Sequence, residues 1–203
     1  MLDEIDSSFR KAGYSGTPVM MYLAGGLAVN YYCGTRYTED VDAFFDRRIQ
    51  LGRCAVAYRH RDGSSASLYL DPNYNPTFGL LHDDYEAAAR EWPGIGNEGR
   101  LVRLMVLSPL DLAVTKISRY ADTDVADIRS LASVTRFSAD QLRRRATEAL
   151  SNYVGNLPPV RQSIELICKE VARVAERDRA LEQAAEKGFA PPKTKEGPGP
   201  EIS

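Results

Sequence analysis

Two carboxylates and two glycines carry the chemistry this sequence offers. Asp40 and Asp42 stand in the run Thr38-Glu39-Asp40-Val41-Asp42-Ala43-Phe44-Phe45, and thirteen residues separate Gly26, of a Gly25-Gly26 pair, from Asp40. If residues 40–45 form a strand, positions two apart project to the same face. The two carboxylates then converge while Val41 and Ala43 turn to the other side. Converging carboxylates repel unless a cation lies between them, and a hard cation that prefers oxygen ligands suits this donor set. Glu39 adds a third negative charge at the mouth of an apolar strand, a costly arrangement without a counter-charge. Glycine lets phosphate oxygens approach the backbone, and the N–H groups that open a helix favour anions. The combination describes the working end of a metal-dependent phosphoryl- or nucleotidyl-transfer enzyme. Each half also has a plainer reading: a tight strand-to-helix turn for the glycines, a solvated strand end for the acids.

The elements that must hold these residues follow from periodicity. Leu2, Ile5, Phe9 and Ala12 have helical spacing and end near Gly13. Residues 18–23 read as a buried strand entering the glycines, residues 27–33 as a short helix stopped by Gly34, and residues 40–45 as the second strand. This strand, turn, helix, strand unit predicts an α/β core. Residues 55–58 and 67–71 read as further strands, with Asp62-Gly63 as the turn between them. Residues 71–77 are turn-rich, residues 82–90 predict a helix, residues 93–99 a loop, and residues 101–107 the last strand.

From there the pattern is helical. Ser108 is an N-cap with Pro109 at the first helical position, and Leu110, Val114, Ile117 and Ala121 form the apolar stripe. Residues 124–134 predict the next helix. Ser138 and Gln141 form a capping box for another, with Leu142, Ala146, Leu150 and Tyr153 inward and Pro158-Pro159 breaking it. Ile164, Ile167, Val171, Val174 and Leu181 mark a long final helix. The fold class expected is α/β (α+β): a small mixed sheet over residues 1–107, a helical region over 108–187, and a tail over 188–203 whose proline, glycine and charge predict disorder.

Lys116 falls beside the stripe of its helix, at the edge of the core, where a triphosphate would suit its ammonium; a lysine snorkelling to the surface fits the same spacing. Asp124 and Asp127, at i and i+3, share a face and could steady Lys116 or Arg119. Arg143-Arg144-Arg145 with Arg136, Arg103 and Arg119 would suit RNA, although three consecutive arginines splay around a helix and read more simply as a solvated face. The segment Asn73 to Phe78 has amide and aromatic groups able to read a base, or to close a turn on itself. His60 and His82 have no evident partners, and Trp92 reads as core.

Composition limits the alternatives. With 203 residues, 43% hydrophobic and 27% charged, the chain can bury one core. No apolar run reaches membrane-span length, and the acidic N-terminus lacks the order of a signal peptide, so a cytoplasmic protein is expected. Cys33, Cys54 and Cys168 are odd in number and widely spaced, which argues against a disulfide framework. The net charge of −2 does not by itself advertise nucleic acid.

The ordered set Gly25-Gly26, Arg36-Tyr37-Thr38-Glu39-Asp40-Val41-Asp42, Leu107 through Lys116, and Asp124-Val125-Ala126-Asp127-Ile128 resembles the DNA polymerase β-like nucleotidyltransferases. Within them it is most similar to the AbiE-type toxin enzymes of toxin–antitoxin loci and related bacterial proteins, over residues 18–135. The resemblance implies transfer of a nucleoside monophosphate from an NTP, with release of pyrophosphate, supported by Mg²⁺ or alternatively Mn²⁺. It implies tRNA or a protein as acceptor and a cognate antitoxin as partner. Asp40 and Asp42 match the metal ligands, Gly25 and Gly26 the phosphate-contacting turn, Lys116 the triphosphate-contacting lysine, and Asp127 a downstream acid. Arg36 and Thr38 join the nucleotide contacts. Two departures stand out. The usual Gly-Ser is Gly-Gly here, and the third metal carboxylate is not obvious; Asp71 is the candidate. Without a third carboxylate the chain would bind nucleotides silently or serve as an antitoxin-like module.

Overall fold

The computed structural model describes residues 1–35, 38–49, 51, 54–59, 63–70 and 79–187. Helix α1 (Leu2–Lys11) leads to strand β1 (Val19–Leu23), which runs into α2 (Gly25–Cys33). Two short strands follow, β2 (Asp40–Val41) and β3 (Ala43–Phe45), then β4 (Cys54–Arg59) and β5 (Ser65–Leu70). A single turn of helix, α3 (Tyr85–Ala88), precedes β6 (Arg90–Glu91) and β7 (Val102–Val106). The C-terminal half is helical: α4 (Pro109–Ile117), α5 (Asp122–Thr135), α6 (Ala139–Ala149), a 3₁₀ turn (Leu150–Asn152), and α7 (Leu157–Glu186). No helix among the described residues is long and apolar enough to cross a membrane. The α+β class with a helical C-terminal half is as the sequence predicts.

The strands form two small sheets. One has the order β3-β1-β7-β6, the other β2-β5-β4. In the first, β1 runs parallel to β7 with Leu23 opposite Val106, and antiparallel to β3 with Tyr22 opposite Phe44. In the second, β2 runs parallel to β5, pairing Asp40 with Tyr69 and Val41 with Leu70. One core cluster links α1, both sheets and the helices through to Val174 of α7.

Several predicted elements are redrawn. The expected strand over residues 40–45 divides at Asp42, because β2 pairs in one sheet and β3 in the other. Asp42 lies between the two, and its carbonyl accepts the Ala24 N–H at 2.8 Å, one step beyond the Leu23–Ala43 pair. Helix α2 starts at Gly25, two residues before the position expected, since glycine there takes φ +59° and lets the strand turn directly into helix. The helix expected over residues 82–90 survives only as Tyr85–Ala88; Ala89 turns extended, and Arg90 and Glu91 pair with Val106 and Met105.

Helix α4 stops at Ile117, so Ala121 lies outside it, and Asp111, Leu112, Ala113 and Lys116 are buried beside the expected stripe. A helix surrounded by α2, α5, α6 and α7 has little outward face to keep polar. Pro158 and Pro159 lie inside the first turn of α7, where a missing N–H is harmless. The capping predictions fit the geometry. Ser108 Oγ accepts the Asp111 N–H at 3.1 Å, and Ser138 and Gln141 bond reciprocally at 3.1 and 2.7 Å.

Candidate active site

The turn from β1 into α2 presses against Asp42. A Cβ built on Gly25 would come within 1.7 Å of Asp42 Oδ2 and 2.5 Å of its Cγ, so the carboxylate occupies the space that a side chain would need. Gly25 is therefore required twice, for its positive φ and for this contact. The residue ahead of the helix, Ala24, supplies no side-chain cap. The first N–H groups of a nine-residue helix thus open toward the spot where Asp42 lies, and the helix dipole favours negative charge there. Gly25 and the Asp42 carboxylate, seventeen residues apart in sequence, are thus brought to one place.

Asp40 is exposed, Val41 is buried, Asp42 is half-buried and Ala43 is buried, the alternation expected of an extended chain. Thr38 Oγ1 accepts the Asp40 N–H at 3.2 Å and so shapes the approach to β2. Arg36 and Asp71, expected at the nucleotide and metal positions, lie outside the described residues, as do His60 and the base-reading candidate over residues 73–78. Among the described residues no group of three or more His, Cys, Asp or Glu side chains gathers as a metal cluster. Asp40 and Asp42 offer only oxygen atoms, which would suit a hard ion such as Mg²⁺ or Mn²⁺ better than a softer one.

Phe44, two residues beyond Asp42 and so on its side of the strand, opens an aromatic layer that the sequence did not announce. Its ring stacks on Tyr22 at 5.5 Å, and Tyr85 meets both edge-on, at 5.4 Å from Phe44 and 5.0 Å from Tyr22. Burial, then the charges of Glu86 and Asp46, push the Tyr22 hydroxyl up to about 12. Burial and Glu86 raise Tyr85 as well. The available signal was the period of two, which carries Asp42 to Phe44.

Lys116 and Asp127 meet elsewhere. Lys116 is 5% exposed, with Nζ 2.8 Å from Asp127 Oδ2 and 3.6 Å from Asp124 Oδ1. Arg119 bonds both oxygens of buried Asp124 at 2.7 and 2.6 Å, and the Ala121 N–H adds a third bond at 3.2 Å. Burial would raise the Asp124 carboxyl, but Arg119, Lys116 and the Ala121 N–H together hold it below its ordinary value. This network lies toward the far end of α2. The Cys33 thiol, raised first by burial, is raised further by the Asp127 charge. Gly25 and Cys33 are the two ends of α2, roughly 12 Å apart. Lys116 thus stands inside the core in an ion pair rather than at its edge.

The arginine run does not present a common basic face. Arg145 bonds Asp111 at 2.7 and 3.1 Å, Arg143 pairs with Glu165 and Asp140, and Arg144 is exposed. Arg136 pairs with Asp178 and Glu182, and Arg119 is committed to Asp124. Four of these arginines are thus answered by acids of the chain itself. Trp92 is half-buried with its ring 4.7 Å from Tyr31, and His82 Nε2 lies 3.2 Å from Glu148.

Comparison with curated proteins and with solved structures gives no match. Residues 2–164 match DUF6036, a family described as a nucleotidyltransferase of unknown function. The match spans most of the chain, and the protein belongs to that nucleotidyltransferase family.

Proposed function

We propose that the protein moves a nucleoside monophosphate from an NTP to a macromolecular acceptor, tRNA or protein, with Mg²⁺ or Mn²⁺ held by Asp40 and Asp42. The observation that carries this reading is the packing of Asp42 against Gly25 at the uncapped start of α2. Phosphate oxygens would sit on the N–H groups of Gly25 and Gly26, beside the carboxylates. Asp71 is the proposed third carboxylate; it follows Leu70, the residue paired with Val41. Arg36 is proposed as a further phosphate contact, and Thr38 as a positioning residue for Asp40.

A Mg²⁺ or Mn²⁺ ion held by Asp40 and Asp42 would supply positive charge against the phosphates and make the attacking hydroxyl easier to deprotonate. An acceptor hydroxyl oxygen attacks the α-phosphorus in line and gives up its proton, and the α–β phosphoanhydride bond breaks to release pyrophosphate. Asp40 and Asp42 fix the reacting groups in that line. Lys116 and Asp127 are assigned a positioning role, holding α4 against α5; a triphosphate contact by Lys116 would require it to leave Asp127.

The family resemblance supports a toxin of a toxin–antitoxin locus as the setting. The pure protein incubated with Mg²⁺, each of four labelled NTPs and total RNA should place label in RNA or protein and release pyrophosphate, and Asp42→Ala should not. Mg²⁺-dependent NTP binding with no turnover would instead favour a silent nucleotide-binding or antitoxin-like module. What speaks for that second reading is that, among the described residues, no three His, Cys, Asp or Glu side chains gather as a metal-binding group.

A further inference from the structure

A cleft of about 220 Å³ opens beside Tyr85, walled by Tyr153 and Leu81 and rimmed by His82, Asp83 and Asn152. It lies next to the Tyr22–Phe44–Tyr85 layer, on the side of the sheet that Asp42 shares with Phe44. Two strand positions separate Asp42 from Phe44, and one ring contact of 5.4 Å leads on to Tyr85. The path from carboxylate to cleft is on the order of 10 Å, a span that a ribose and its first phosphate bridge.

Size and chemistry narrow the occupant. The cleft is smaller than the several hundred Å³ typical of whole-ligand pockets, so it suits one flat ring system. Two tyrosines offer faces for stacking. The rim is rich in acceptors. The Asn152 amide donates to Asp83 Oδ1, which leaves Asp83 Oδ2 and the Asn152 carbonyl oxygen to receive donors. His82 contributes no free group: its Nδ1 accepts the Asp84 N–H at 3.0 Å, so its Nε2–H points to Glu148. A carboxylate and a carbonyl side by side call for N–H donors on the ring edge.

We propose that this cleft takes the nucleobase of the incoming nucleoside triphosphate and selects a base carrying an exocyclic amino group. This rests on the phosphate site proposed above. Asp83 Oδ2 accepts the amino N–H, Asn152 meets the neighbouring ring nitrogen, its carbonyl accepting from an N–H or its second amide N–H donating to a bare nitrogen, and Tyr85 and Tyr153 flank the ring. ATP, GTP or CTP is then preferred over UTP, whose exocyclic positions carry only oxygen.

The test is titration of the intact protein, in Mg²⁺, with each of the four NTPs and with inorganic tripolyphosphate. Wild type, Asn152→Ala, Asp83→Asn and Tyr153→Leu are compared, with thermal melting as a check on folding. The expected result is a preference of about tenfold or more for an amino-bearing base, as one paired base-edge contact typically gives. Asn152→Ala and Asp83→Asn should erase it, Tyr153→Leu should weaken all four NTPs, and tripolyphosphate should bind every variant alike. Unchanged NTP ranking in folded variants overturns the proposal while unaltered tripolyphosphate binding leaves the phosphate site standing. Binding of neither tripolyphosphate nor NTP overturns both. Variants that lose affinity only for short oligonucleotides would assign the cleft to the acceptor and overturn it too.

Discussion

The two ends of α2 hold acids in opposite ways. At Gly25 the chain brings Asp42 to a helix start by removing every side chain that would block it, and leaves Asp40 exposed alongside. Toward Cys33 it buries Asp124 and Asp127 and supplies the cations itself, from Lys116 and Arg119. Both clusters contain an Asp pair close in sequence. The difference is in burial: Asp42 stands half-buried at a turn, whereas Asp124 and Asp127 are closed inside the core by ion pairs.

The largest effect should come from breaking the closed end. Lys116→Met leaves Asp127 and Asp124 buried with less counter-charge, and loss of one partner of a buried pair costs about 3–5 kcal/mol. Urea unfolding should show that loss, and the double variant Lys116→Met with Asp127→Leu should recover part of it. A stable Lys116→Met protein that has lost NTP binding would reverse the comparison, making Lys116 a ligand group.

The open end should respond in activity rather than stability. Asp42→Asn removes charge at nearly constant shape, so transfer should fall on the order of 10²–10³-fold, the usual cost of losing one charge-stabilising group. Its melting temperature should stay close to wild type. Gly25→Ala should do both kinds of damage. A left-handed alanine costs about 1–2 kcal/mol, and its Cβ would evict the Asp42 carboxylate. Melting and turnover measured together test this; an active, fully stable Gly25→Ala protein would remove the contact on which the proposed site rests.

Acid titration separates the two ends more gently. The Asp124 carboxyl is depressed in the fold, so its contribution is fully present above the unfolded value of 3.8 and is lost as pH falls through the lower, folded value. Asp6 behaves likewise. Burial opposes its ionisation, but Arg10 and the N–H groups of Leu101 and Val102 outweigh burial. Stability should therefore hold steady down to about pH 4 and decline below it. Asp124→Asn should flatten that decline, as followed by circular dichroism.

What the sequence disclosed depended on whether a signal was local. Ser108-Pro109, the Ser138–Gln141 box and the apolar spacing of the last helix are short-range patterns, and each lies where it reads. Gly25 and Asp42 were legible as a pair because strand, turn, helix and strand follow one another in under thirty residues. The break at Asp42 was not, because it arises from two sheets competing for one strand, a tertiary fact. Nor was Arg90–Glu91 as a strand, whose pairing partners Val106 and Met105 lie sixteen and fourteen residues downstream. Lys116 was placed at an edge because its own helix has an edge there, and only the packing of α5 closes it.

The arginine run gives the smallest and sharpest test of the same distinction. Arg143 lies at a half-exposed position between Glu165 and Asp140, so its charge is already answered by the chain. Exposed pairs of this kind contribute about 0–1 kcal/mol, since solvent screens them and ordering two long side chains offsets the attraction. Arg143→Ala should therefore shift the urea midpoint very little and leave affinity for RNA unchanged in a filter-binding titration. If RNA binding instead fell steeply and recovered with Arg143→Lys, the helical half would hold the acceptor by charge. The acids at Glu165 and Asp140 would then be partners that RNA phosphates displace.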